Sequence, residues 1–86
     1  MPIISRFFGI IIRMFFNEHA PPHFHAEYGE HRVVIDISSL EVMEGGFPRR
    51  ALELVLDWAE LHQDELMEDW DLCQQRQQPR EIAPLE

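Results

Sequence analysis

Hydrophobic residues recur every three or four positions through the C-terminal half of the chain, and this periodicity limits the fold more than any other feature. The pattern starts after Pro48, which suits the first turn of a helix, and continues to about Gln75. The apolar stripe consists of Leu52, Val55, Leu56, Ala59, Leu66, Trp70 and Cys73. The opposite face is acidic, as expected for a solvated surface. The pattern predicts one long helix that lies across a sheet.

The middle of the chain alternates between apolar and polar residues instead, which is typical of strands. The alternation runs over residues 23–28 and again over residues 32–37. Gly29-Glu30 lies between the two stretches and matches a two-residue hairpin turn. The sequence therefore predicts a β-hairpin in which His23, His25 and Glu27 share one face.

Two further stretches extend this hairpin into a sheet. Residues 3–16 are β-branched and aromatic, which predicts either two short strands or one bent strand, and residues 40–44 predict a weaker strand. The expected fold is α+β, an antiparallel β-meander of three to four strands packed against one long C-terminal helix. Residues 1–78 would form a single domain and residues 79–86 an extended tail.

Charge and cysteine content limit the cellular environments and the binding partners that the sequence is compatible with. The chain has seven arginines, no lysine and sixteen acidic residues, for a formal net charge of −9, which disfavours a general nucleic-acid-coating role. The single cysteine, Cys73, fits a reducing cytoplasm. Arg6 and Arg13 interrupt the apolar N-terminal stretch, which is also too short for a membrane span, so no membrane association is expected.

Three of the five histidines lie in the stretch His19-Ala20-Pro21-Pro22-His23-Phe24-His25. Two imidazoles spaced His-x-His on a strand project about 7 Å apart on one side, which suits a zinc, iron or copper ion. His19 could fold back as a third ligand and Glu27 could supply a fourth. Three interpretations remain open: a divalent-metal site formed by His19, His23 and His25, acid–base catalysis by His23 and His25, and ordinary structural histidines.

The start of the predicted helix breaks a local rule. Arg49 and Arg50 occupy the first turn, where the helix dipole favours acidic residues, and no capping side chain precedes them. Free backbone N–H groups and two guanidinium groups could hold a phosphate or carboxylate, with Arg13 as a third substrate-binding residue. The alternative is that both arginines simply pair with Glu53 or other nearby acids.

Several runs of residues resemble one bacterial family over almost the whole chain. They are residues 1–10 (MPIISRFFGI), His19-x-Pro21-Pro22-His23-Phe24-His25-Ala26, Pro48-Arg49-Arg50-Ala51-Leu52 and Trp58-Ala59. They are similar to the family catalogued as domain of unknown function 4160. The resemblance implies a toxin-like component of a toxin–antitoxin-type pair, with a small neighbouring, antitoxin-like protein as its partner. It supplies no catalytic residues.

Three functions are therefore expected as alternatives. The first is a toxin-like protein that acts on a phosphate-bearing substrate, such as RNA, with His23 and His25 as catalysts and Arg13, Arg49 and Arg50 as the anion-binding residues. The second is a non-enzymatic interaction module, and the third is a protein that binds a divalent metal such as zinc. A homo-oligomer is compatible with each. The first requires the histidines and the arginines to share one surface.

Overall fold

Five antiparallel strands, joined in sequence order, form the sheet. The computed structural model describes residues 2–86. The strands are β1 (Ile3–Phe7), β2 (Ile10–Arg13), β3 (His23–Tyr28), β4 (His31–Asp36) and β5 (Val42–Gly46), and each pairs with the next. The predicted α+β class and antiparallel meander are confirmed. The predicted three to four strands are too few, because the apolar N-terminal stretch contains two strands.

Tight turns account for this strand count. Phe8 and Gly9 connect β1 to β2 and both have positive φ (51° and 80°), as in a type I′ hairpin turn. Gly29 and Glu30 connect β3 to β4, and Gly29 has a φ of 57°. The hairpin predicted at Gly29-Glu30 is therefore confirmed, and Gly9 is part of a turn between two strands.

The C-terminal half contains two helices, so the prediction of one long helix is wrong. They are α1 (Arg49–Leu61) and α2 (Gln63–Gln74). His62 separates them, with a φ of −123° and a ψ of 24°. The Gln63 side-chain amide donates to the backbone oxygen of Ile37 at 2.8 Å, which anchors the start of α2 on the sheet. Neither proline nor glycine marks the break, and the apolar spacing continues across it, so the sequence carries no stop signal there.

The main core lies between α1 and one face of the sheet. Trp58 is fully buried, and its ring lies 5.3 Å from that of Phe7 and 5.9 Å from that of Phe24 between centroids. Ala26 is also buried on this face. Because strand side chains alternate, His25, next to Phe24 and Ala26 in β3, projects from the opposite face. That second face, called here the open face, is where the half-buried polar side chains of β2, β3 and β4 lie.

The C-terminal residues pack along the domain without forming a helix or strand. The Ile82 N–H donates to the Ile4 carbonyl at 2.7 Å, and the Trp58 indole N–H donates to the Ala83 carbonyl at 2.8 Å. Ile82 is buried. The domain boundary predicted at residue 78 stays a prediction. Within residues 2–86, neither helix has the length and apolar character needed to cross a bilayer.

Candidate metal site on the open face

Three side chains converge where β3 begins. The Glu18 carboxylate oxygen Oε1 lies 3.1 Å from His23 Nε2 and 2.8 Å from His25 Nε2, and the three potential ligand atoms lie within 4.8 Å of one another. Alternation along β3 places the two histidines on the same side of the strand. The loop before β3 returns Glu18 to them, and the Asn17 N–H holds this loop on α2 by donating to the Cys73 carbonyl at 3.2 Å.

His23 is fixed on both sides of its ring. Its Nδ1 lies 2.7 Å from the Pro21 carbonyl oxygen, and its ring lies 5.1 Å from that of Trp70 between centroids. The carbonyl only accepts hydrogen bonds, so Nδ1 carries a proton. In the neutral ring, Nε2 then directs a lone pair at the Glu18 oxygen. That contact is favourable when a proton lies between the two atoms, on the ring or on the carboxyl group, or when a cation does.

The three ligand atoms are close enough together for one small transition-metal ion to bind all of them. Metal–nitrogen and metal–oxygen bonds near 2.0–2.1 Å place the ligand atoms of a tetrahedral site roughly 3.3 Å apart. The two distances from Glu18 Oε1, 3.1 Å and 2.8 Å, are shorter than that spacing, and the ligand atoms of the two histidines lie within 4.8 Å of each other. Two histidines and one carboxylate also leave coordination positions open for water or substrate. The His23 contact with Pro21 is the outer hydrogen bond that metal-binding histidines usually make.

The other two ligands expected from the sequence lie elsewhere. His19 is exposed and lies outside the cluster. Glu27 accepts a hydrogen bond from Arg13 Nε at 3.1 Å in a partly buried ion pair. Glu18, the carboxylate that does converge with the histidines, was missed by the sequence reasoning. It lies in an irregular loop, where residue spacing does not indicate which way a side chain points.

The predicted anion-binding arginines are divided between two places. Arg13 lies opposite His25 on the neighbouring strand, beside the histidines. Arg49 and Arg50 are highly exposed at the start of α1 and pair with Glu53, at 3.9 Å and 3.4 Å. Arg50 lines a depression beside Tyr28, which is at the far end of β3 from His23. That separation along the strand is about 17 Å, so the structure does not bring Arg49 and Arg50 to the histidines.

A recess of about 330 Å³ lies on the open face next to the cluster. His25 belongs to both, because its ring lines the recess and its Nε2 faces Glu18. The recess is also lined by Phe15, Glu27, Arg32, Val34, Glu44 and Gly45. The Phe15 ring meets the His25 ring edge-on, 4.5 Å between centroids, and holds it in place. An ion bound at the cluster would therefore lie at the edge of a ligand-sized space.

The cysteine is not part of this chemistry. Cys73 is fully buried, as the sequence predicts for a small hydrophobic residue. Burial raises the pKa of its thiol to about 11, and the nearby carboxylates of Asp69 and Glu18 add to the effect. A thiol with this pKa is protonated near neutral pH and is not an activated nucleophile.

Comparisons with known proteins identify the family. A search of curated proteins and a search of solved structures found no match to this chain. One family model, described as Domain of unknown function (DUF4160), matches residues 9–71. The matched range contains the candidate metal site and most of both helices. The resemblance noted in the sequence is therefore confirmed, and the chain belongs to this domain-of-unknown-function family.

Proposed function

We propose that the protein binds a divalent transition-metal ion, such as zinc, through Glu18, His23 and His25. The observation that carries this proposal is the convergence of three ligand atoms around a histidine whose other nitrogen is already fixed by a backbone carbonyl. An ion at this position would be bound by His23 Nε2 and the Glu18 oxygen, in place of the proton that would otherwise be shared between them. The site thus explains why two imidazoles and one carboxylate are held together on the open face.

The surroundings would keep the ligands in place while leaving the ion accessible. His23 is only 7% exposed and is held by Trp70 and Pro21, whereas His25 is partly exposed at the recess. A bound ion of this class acts as a Lewis acid and lowers the pKa of a coordinated water. The chain's own contribution is to orient the two rings, to supply one negative charge from Glu18, and to leave one side open toward the recess.

Isothermal titration calorimetry with zinc chloride tests the proposal on untagged, chelator-treated protein. We expect one zinc per chain. The substitution His25→Ala should weaken binding by at least about 100-fold, because it removes a direct ligand, whereas outer-shell changes alone cost about 10–100-fold. Glu18→Gln should also weaken binding while preserving side-chain size. This second variant guards against misreading a folding defect as a lost ligand.

Two exposed histidines provide matched controls. His19→Ala and His31→Ala remove the same chemical group from positions outside the cluster, so zinc affinity should stay within about threefold of wild type. Circular dichroism would verify that every variant is folded. Absence of zinc binding by the wild-type protein, or an equal loss for His19→Ala and His25→Ala, would refute the site as described.

A second candidate is the toxin-like function on a phosphate-bearing substrate such as RNA, in the cytoplasm and with a small antitoxin-like partner. It is supported by the position of Arg13 beside His25 and by Arg32 on the same recess. In this alternative His23 and His25 act as acid and base without a metal. A zinc-free protein that cleaves RNA, and loses this activity in His25→Ala but not in His31→Ala, would favour it over metal binding.

A further inference from the structure

Arg32 is a cation at the recess without a committed partner. Its register neighbours are Glu27 on β3 and Gly46 on β5. The Glu27 carboxylate is engaged by Arg13, and Gly46 has no side chain. Among residues 2–86, no carboxylate forms an ion pair with Arg32, although Glu44 also lines the recess. An exposed guanidinium at the edge of a concave surface can bind an oxyanion.

The rest of the recess has two further properties. Phe15 and Val34 supply apolar surface, and His25 marks the side from which the proposed metal ion is reached. His25 and Arg32 lie diagonally on adjacent strands, since His25 is opposite Val34, so their backbones are about 7–8 Å apart. The ion would lie between His23 and His25, whereas Arg32 is opposite Glu27 further along β3, so a ligand that meets both must pass over the His25 side chain. A volume of about 330 Å³ is at the lower end of the range for small-molecule sites.

We propose that the recess binds a small organic oxyanion, a carboxylate or a phosphate ester. The oxyanion lies between the metal ion at His25 and the guanidinium of Arg32, and its apolar body rests on Phe15 and Val34. This inference rests on the proposed metal site and names the ligand class that would use it. Selectivity for anions over neutral analogues requires the metal ion and Arg32 to outweigh the carboxylates of Glu27 and Glu44, which also line the recess.

The test uses zinc-loaded full-length protein and three probes of similar shape: phenylphosphonate, benzoate and benzyl alcohol. Binding is followed by NMR chemical-shift titration of the backbone amides. We expect at least one oxyanion to bind at least tenfold more tightly than neutral benzyl alcohol, with shifts centred on β3 and β4. The stronger of the two oxyanions identifies phosphate or carboxylate as the chemistry that the recess favours.

Matched arginine variants identify the residue responsible. Arg32→Gln should weaken oxyanion binding at least tenfold while zinc affinity stays within about threefold, because Arg32 is not a metal ligand. Arg49→Gln, at an exposed position that does not line the recess and that pairs with Glu53, should change neither affinity. Equal oxyanion affinities for the Arg32 and Arg49 variants, or equal binding of oxyanions and benzyl alcohol, would overturn the inference.

Failure of the metal site gives a different result. If zinc binds with the expected dependence on His25 but neither oxyanion binds, only the recess inference is refuted. If zinc does not bind to the wild-type protein, the proposed function is refuted. The proposed position of the oxyanion between the metal ion and Arg32 is then refuted as well, even when an oxyanion binds to zinc-free protein through Arg32.

Discussion

Replacing Gly45 by alanine should destabilise the protein strongly, because this residue allows β5 to approach β4. A Cβ added at Gly45 would clash with the backbone oxygen of Arg32, and the φ of Gly45 is +77°. The left-handed backbone costs an alanine about 1–2 kcal/mol. Moving the strands apart to relieve the contact costs about another 1–3 kcal/mol, as in other overpacked sites. We therefore expect Gly45→Ala to lower the free energy of unfolding by about 2–5 kcal/mol.

The next residue provides the control. Gly46 lies in the same strand, but its φ is outside the left-handed region and a Cβ there would meet nothing within 4 Å. Gly46→Ala should be neutral, or stabilising by about 0.4–1 kcal/mol because alanine restricts the unfolded chain. For a domain of this size, 1 kcal/mol corresponds to about 4–8 °C in Tm. The two variants should therefore differ by at least roughly 8 °C.

Thermal unfolding followed by circular dichroism measures this difference, with both variants metal-free and at the same pH. Hydrogen exchange of the β4 and β5 amides locates it, since Gly45→Ala should remove protection there before it affects β1 and β2. Tm values within about 2 °C of each other would show that β5 does not pair with β4 in the register described. Gly45 would then not line the recess in the way described.

Two further predictions concern a turn and a buried acid. Phe8→Asn should raise the free energy of unfolding, measured by urea unfolding, by about 0.5–1 kcal/mol. Phe8 is 59% exposed, and Asn tolerates the positive φ of a type I′ turn. A decrease in the free energy of unfolding would contradict this account of the turn. Burial raises the pKa of Asp69 above 3.8. The folded state therefore keeps a proton that the unfolded chain releases, and the free energy of unfolding falls as pH rises from 3.8 through the raised pKa. Asp69→Asn should remove a slope of at most about 1.4 kcal/mol per pH unit, and unchanged pH dependence would refute the assignment.

The sequence indicated the antiparallel sheet and the β3–β4 hairpin, because their signals are local, but its three to four strands were too few. The alternation around Gly29-Glu30 predicts both the hairpin and the face shared by His23 and His25. The sequence could not locate the break between α1 and α2 at His62. There the anchoring contact is between Gln63 and the Ile37 carbonyl, residues that are 26 positions apart. A contact of this kind leaves no mark on the hydrophobic periodicity of either segment.

The candidate site shows the same limit. Strand alternation identifies His23 and His25. Glu18 instead lies in a loop that is fixed by a backbone hydrogen bond from the Asn17 N–H to α2. Arg49 and Arg50 break a helix-dipole rule, which indicates an unusual position but not which side of the sheet it faces. Tertiary packing decides that question, and the structure places both arginines away from the histidines.

The ligands of the cluster are close neighbours along the chain, and this has a consequence for how metal binding should be measured. Glu18 lies five residues before His23 and seven before His25. A chelating loop this short removes little entropy from the unfolded chain, and an unfolded segment with the same three groups would retain some metal affinity. Binding to the unfolded state offsets binding to the folded state, so a rise in Tm would understate the true affinity. Zinc could also occupy this segment during synthesis, before the helices that pack behind it exist.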